Sequence, residues 1–169
     1  ETRLIDDEEL ALAAKDMTPE QYAQEYECSF EAAIAGAYYG KDMTDAERDC
    51  RIGDVPYDPE LEVHTAWDLG IGDSTAIWFW QAAGNEIRVI DFYENSGHGL
   101  AHYSKVLDSK PYKYKFDWVP HDAKVRELGT GRTRVETMQG LNRKPRLIPH
   151  HKIDDGINAA RVLLPNMYF

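Results

Sequence analysis

The chain has 169 residues, of which 43% are hydrophobic and 11% aromatic. It can therefore bury enough apolar surface to offset chain entropy, which excludes wholesale disorder, and it is too short for two full cores. No apolar run approaches the roughly 18 residues of a membrane span, and the acidic start at Glu1 is unlike a signal peptide, so the sequence reads as soluble and unsecreted. The net charge of −11 is unevenly placed: residues 1–60 hold 17 acidic against 5 basic side chains, residues 61–169 hold 13 against 14. Within the second part, residues 110–152 carry eleven Lys and Arg against four acids. That excess suits either a polyanionic partner or a solvated basic face.

The acidic first third predicts helices over residues 4–39, one ending near Asp16 and a second opening at Thr18-Pro19-Glu20-Gln21 with an N-cap and a first-turn proline. Tyr22, Tyr26, Phe30 and Ala33 recur at helical spacing and supply an aromatic stripe for packing, although Glu27 to Phe30 also suits an extended turn. Residues 41–59 are polar and broken by Asp49, Gly53, Asp54, Pro56, Asp58 and Pro59, which predicts a linker or surface loop and a domain boundary. Residues 1–60 thus form a partly helical acidic linker and residues 61–169 the domain. Cys28 and Cys50 have no CxxC or His partner at metal spacing, so free, buried thiols are expected.

After Glu62 the pattern changes. Residues 63–70 (VHTAWDLG) predict a strand with a turn over residues 70–73, residues 74–82 (STAIWFWQA) a second strand, Gly84-Asn85 a short turn, and residues 86–93 (EIRVIDFY) a third strand. Gly97 to Gly99 opens a helix through His102, Val106 and Leu107, which crosses to a parallel strand over residues 116–120 ending at His121-Asp122. Thr133 and Glu136 have capping-box spacing ahead of a short helix closed by Gly140, residues 146–148 give a fifth strand, and Asp154-Asp155 starts a last helix through Ile157, Ala160 and Leu164. The order is βββαβαβα: an α/β fold with a mixed five-stranded sheet.

Asp68 ends the first strand, Asp122 follows the fourth, and Asp154-Asp155 begins the last helix. If strands one and four are parallel neighbours, these carboxylates come to one edge of the sheet. Clustered carboxylates repel one another and call for a hard divalent cation, Mg²⁺ or Mn²⁺; two such ions about 4 Å apart hydrolyse phosphodiesters. Each aspartate also has a structural reading: Asp73 caps a turn, Asp91 lies on the polar face of strand three, and Asp154 is a helix N-cap. Lys124, Arg126, Arg132 and Arg134 follow Asp122 in a glycine-permitted loop that suits a phosphate backbone or a mobile surface. Gly36 to Lys41 is one residue short of a phosphate-binding loop and lacks its final hydroxyl, so no ATPase site is expected. His121, His150 and His151 lack partners at zinc spacing and read as solvated or hydrogen-bonded.

Four segments together resemble the end of the linker and the C-terminal nuclease domain of the large terminase subunit of tailed bacteriophages. They are Met17-Thr18-Pro19-Glu20-Gln21-Tyr22 with Glu25 to Phe30, Thr65-Ala66-Trp67-Asp68-Leu69-Gly70, Pro120-His121-Asp122-Ala123 with Arg126-Glu127-Leu128-Gly129, and Asp155-Gly156-Ile157-Asn158-Ala159-Ala160-Arg161. The resemblance implies an RNase H-like fold and a two-metal endonuclease that cuts concatemeric double-stranded viral DNA during packaging in the host cytoplasm. It makes Asp68, Asp122 and Asp155, with Asp154 as the alternative, the catalytic and metal-binding carboxylates. It also implies an ATPase motor domain in a longer chain, a small terminase subunit and a portal as partners. The Walker motifs are missing here and the last helix is expected to be cut short. The alternatives are a Holliday-junction-resolvase-like nuclease and a non-catalytic docking module engaging a motor through residues 1–60.

Overall fold

The computed structural model describes residues 37–70 and 74–169. The helices expected before residue 37, the Tyr22, Tyr26, Phe30 and Ala33 stripe, Cys28 and the turn residue Asp73 lie outside them. The chain divides into two compact units: Gly53–Gly156 with Asn166–Phe169, and Glu1–Ile52 with Ile157–Pro165.

The larger unit is built on a sheet whose strands β1 (Val63–Asp68), β2 (Thr75–Ala83), β3 (Glu86–Asn95), β4 (Tyr114–Val119), β5 (Pro145–Leu147) and β6 (Met167–Tyr168) stand in the order β5-β4-β1-β2-β3-β6. β1, β2 and β3 form an antiparallel meander, turned between β2 and β3 at Gly84, whose φ of 63° is the left-handed conformation a two-residue hairpin requires. β4 pairs parallel with β1 on one side and with β5 on the other. The mixed α/β sheet is as expected, with one strand more: Met167 and Tyr168 pair with Ile87 and Arg88 of β3. Two residues carry no readable alternation, which is why the sequence did not announce them.

Alternation along the strands sends Val63 and Trp67 of β1 and Ile77 and Phe79 of β2 to one face. There they pack against Tyr103 and Leu107 of α2 (Leu100–Asp108) and Met138 of α3 (Arg134–Gly140). The capping box of α3 is complete: Thr133 Oγ1 accepts the Glu136 N–H at 2.9 Å while Glu136 accepts the Thr133 N–H at 2.8 Å. The helix runs through Gly140, and the left-handed residue after it is Asn142, at φ 60°. Gln81, fully buried on β2, receives the Asp58 N–H and donates to the carbonyls of Asp58 and Leu61, fastening the segment that leads into β1. On the opposite face His64 stacks on Trp80 at 4.4 Å and accepts the Trp118 indole N–H at 3.2 Å, while Trp78 lies 4.6 Å from Phe92.

In the smaller unit the expected loop over residues 41–59 is helical at its start, α1 (Gly40–Arg48). The reason is electrostatic rather than apolar: Asp45 pairs with Lys41 four residues before it at 2.5 Å and with Arg48 three residues after it at 2.6 Å, and Ala46 is the helix's one buried residue. Cys50, expected inside, is exposed; it occupies a left-handed turn, φ 54°, just past α1. Here too, Arg51 donates to the Leu164 carbonyl at 2.7 Å and Arg161 to the Tyr38 carbonyl at 3.0 Å. The last helix, α4 (Ile153–Leu163), closes at Leu163 into a 3-10 turn before β6. Among the described residues no helix is long and apolar enough to cross a membrane.

Candidate carboxylate edge

The site is a consequence of strand direction. β1, β4 and β5 are parallel neighbours, with Ala66 level with Trp118 and Val119 level with Leu147, so all three present their C-terminal ends to one edge. Asp68 is the last residue of β1 and is exposed. Asp122 lies in the 3-10 turn His121–Lys124 directly after β4. The chain leaving β5 stays beside that turn, because the Ile148 N–H donates to the Val119 carbonyl at 2.9 Å and the His150 ring meets the His121 ring edge-on at 4.6 Å. From there it enters α4, whose first turn holds Asp154 and Asp155. His151 lies against this approach: its Nδ1 is 2.8 Å from the Pro149 carbonyl and its Nε2 is 3.2 Å from where a Cβ on Gly156 would be, so a side chain there would require the His151 ring to shift.

The three carboxylates differ in what holds them. The Asp68 carboxylate has no hydrogen bond or ion pair among the described residues. Asp122 Oδ2 lies 3.8 Å from Arg134 Nη1, an ion pair too long for a hydrogen bond. Asp155 Oδ2 accepts the Lys152 N–H at 3.2 Å, capping α4, whereas Asp154 makes no such bond. Carboxylate oxygens are the donors a hard divalent cation takes, so the chemistry of this edge fits such an ion. The present side-chain arrangement does not enclose one: among the described residues no group of three His, Cys, Asp or Glu is close enough to hold a metal.

The basic residues after Asp122 divide into two classes. Arg126 donates to the Gly131 carbonyl at 2.7 Å and lies 3.5 Å from Glu136; Arg134 lies 3.4 Å from Glu127 as well as near Asp122. Lys124 and Arg132 are exposed and make no ion pair within 4 Å among the described residues, although Arg132 is near enough to Glu136 to help hold its carboxyl below the usual range. The loop is ordered by its own backbone: Arg126 bridges Thr133, the Glu127 N–H donates to the Arg132 carbonyl, and the Gly131 N–H donates to the Glu127 carbonyl. Gly131, at φ 66°, makes the return possible. Beside Asp68 opens a cavity of about 310 Å³, walled by Leu69, Gly70, His98, Gly99, Glu127 and Arg134.

Two acidic residues given little weight in the sequence prove to be structural. Asp117 is 1% exposed and accepts from Arg143 at 2.8 and 3.2 Å, from the Lys144 N–H at 3.0 Å and from Thr65 Oγ1 at 2.7 Å; Thr65 in turn accepts the Trp67 indole N–H. Asp91, read as a surface position of β3, receives Lys110 at 2.5 Å and Tyr112 at 3.0 Å. Burial works to raise the Asp91 carboxyl, but the bonds from Lys110, Tyr112 and the Phe92 N–H outweigh it and hold it below the usual range. Burial, reinforced by Asp91, pushes the Tyr112 phenol up to about 12.

No protein-family model and no curated protein matches the sequence. Solved structures do match the fold. The nuclease domain of the P22 large terminase superposes with a TM-score of 0.52 at 15% identity, covering 69% of this chain and 66% of that one. The large terminase of the thermophilic bacteriophage D6E gives 0.56 at 15% identity, over 97% of this chain and 41% of its own. The large terminase nuclease of the thermophilic phage G20c, solved with bound cobalt, gives 0.50 at 13% identity, over 68% and 60%. The fold is thus the RNase H-like α/β architecture of large terminase nuclease domains, and this chain spans less than half the length of the D6E protein.

Proposed function

We propose that this chain is the nuclease part of a phage DNA-packaging terminase, which cuts concatemeric double-stranded viral DNA by metal-dependent phosphodiester hydrolysis. The observation that supports the reading is that Asp68 ends β1, Asp122 follows β4 and the Asp154-Asp155 pair opens the helix after β5, three adjacent parallel strands, in a fold shared with terminase nuclease domains. Asp68, Asp122 and Asp155 are the residues to hold two Mg²⁺ or Mn²⁺ ions. Such ions supply an activated water and neutralise the leaving oxygen, leaving the protein to fix positions. The cobalt in the G20c nuclease is in keeping with a divalent ion. Lys124 and Arg132, exposed cations in the turn and loop that follow Asp122, are the natural contacts for flanking phosphates, which they would position without reading sequence. The D6E large terminase binds ADP; an ATPase motor in a longer chain, a small terminase subunit and a portal complete the assembly proposed here, working in the host cytoplasm.

Plasmid nicking with added Mn²⁺ tests this. Cleavage that needs the metal and disappears in a folded Asp68→Asn variant is expected; metal-independent cutting, or full activity in that variant, overturns the reading. Preference for a four-way junction over linear duplex would favour a resolvase instead.

A further inference from the structure

We infer that Arg134 is a positioning residue of the carboxylate edge, a built-in cation that holds Asp122 against Glu127 and must give up Asp122 to a divalent ion; the inference rests on the proposed function. In the sequence Arg134 belongs with Lys124, Arg126 and Arg132 as a phosphate contact. In the structure its guanidinium is turned inward. Its side chain is 23% exposed, with Nε at 3.4 Å from Glu127 and Nη1 at 3.8 Å from Asp122, and it forms part of the cavity wall beside Asp68. Its backbone is fixed, because Arg134 is the first residue of α3, immediately after the capping box at Thr133. Glu127 is fixed too, through its N–H and carbonyl in the loop return.

Carboxylates gathered at one edge repel one another when no metal is present, and a partly shielded guanidinium relieves that repulsion more than a solvated one. The two ion pairs are unequal. The shorter, to Glu127, anchors the arginine; the longer, to Asp122, lacks a hydrogen bond and is the easier to break. A doubly charged cation on Asp122 would face Arg134 at close range, and the arginine would retreat to Glu127. Glu127, which the sequence reading did not count in the site, is therefore the residue that lets Arg134 leave. Removing the charge of Arg134 should strengthen metal binding, whereas removing that of Glu127 should weaken it, because Arg134 then has only Asp122 to pair with. A residue that merely stabilises the fold would lower affinity in both cases.

The test is Mn²⁺ titration of the full chain, free metal being followed by its paramagnetic resonance with no DNA present. For Arg134→Gln the expected result is about fivefold tighter binding, as unit charges about 4 Å apart in water would give; Arg134→Lys, which keeps the charge, should bind as the parent does, and Glu127→Gln a few-fold more weakly. A second readout is DNA binding at several salt concentrations with metal withheld. Arg132→Ala should reduce the steepness of the salt dependence by about 0.9, and Arg134→Gln should leave it unchanged. If the parent takes up no Mn²⁺, the proposed function itself fails. If it does but Arg134→Gln binds no more tightly, or Arg134→Gln flattens the salt dependence as Arg132→Ala does, the positioning role is overturned and Arg134 returns to the DNA-contacting residues.

Discussion

Asp117 and Asp68 lie on adjacent parallel strands of one sheet, and they have opposite fates. Asp117 points into the core, where Arg143, Thr65 and a backbone N–H satisfy both of its oxygens. Asp68, at the end of β1, is exposed and its carboxylate makes no bond among the described residues. The contrast separates two uses of a carboxylate. A buried charge persists only if every lone pair is occupied, and an occupied carboxylate has nothing left for a ligand. A carboxylate left open at a strand end, beside others of its kind, contributes little to stability and keeps its oxygens for a cation.

The largest effect should come from the buried side of this contrast. Asp117→Ala leaves the Arg143 guanidinium, itself 8% exposed, with only the exposed Asp108 carboxylate at 3.6 Å and the Tyr114 ring, and should cost about 3 kcal/mol, a large part of the roughly 5–15 kcal/mol that keeps a domain folded. Urea denaturation measures it. Replacing both partners, as Asp117→Leu with Arg143→Met, should recover much of the loss, since the cost lies in the orphaned charge. If Asp117→Ala melts with the parent, the pair is not what holds β4 against β5. Asp68→Asn should do the reverse, dropping metal-dependent cleavage to background while the urea midpoint stays in place or rises. A variant at Asp68 that unfolds would erase the distinction between the two residues.

Asp155 falls between these extremes, because it both caps α4 through the Lys152 N–H and stands at the edge. Asp155→Ala should lose about 1 kcal/mol of stability, the usual weight of a helix cap, together with cleavage; Asp154→Ala should change neither appreciably. If Asp154→Ala abolishes cutting while Asp155→Ala only lowers the melting point, the cap and the ligand are separate residues and the assignment reverses.

These differences explain what could be read in the sequence. The meander, the parallel crossover and α3 were legible because each has a local signal: two-residue alternation, Gly84-Asn85 at the hairpin, and Thr133 with Glu136 as a capping box. The edge positions of Asp68 and Asp122 followed from those elements, since a strand's end is fixed once its direction is. α1 was not legible because its support is ion pairing around Asp45 rather than an apolar face. Asp117 was missed although the clue was present: it shares strand parity with the buried Val119 and so had to point inward. The ion pairs of Arg134 with Asp122 and Glu127 were not legible, because charge in sequence says nothing of which carboxylate a side chain will meet. Glu127, seven residues away, becomes its partner only when the loop folds back through Gly131.

The smallest expected effect concerns the sheet's other face and the one histidine held neutral there. Burial against Trp80, and secondarily the nearby Lys115, holds His64 below its ordinary value, with Glu62 opposing. Its Nδ1 accepts the Trp118 indole N–H, a bond that a proton on that nitrogen would displace. Because the folded chain binds that proton less readily than the unfolded one, the unfolded state carries more protons once pH falls below about 6.5, and stability must decline from there downward until the folded value is passed. Unlike the carboxylates, His64 should thus weaken the fold through acidification in a range where Asp and Glu are still charged. Melting temperatures at pH 7.5 and 5.5 should differ by more in the parent than in His64→Phe, which keeps a ring on Trp80 but cannot take up a proton. Equal differences in the two proteins would show that the proton enters without disturbing the stack, and would leave the acid sensitivity of the domain to other groups.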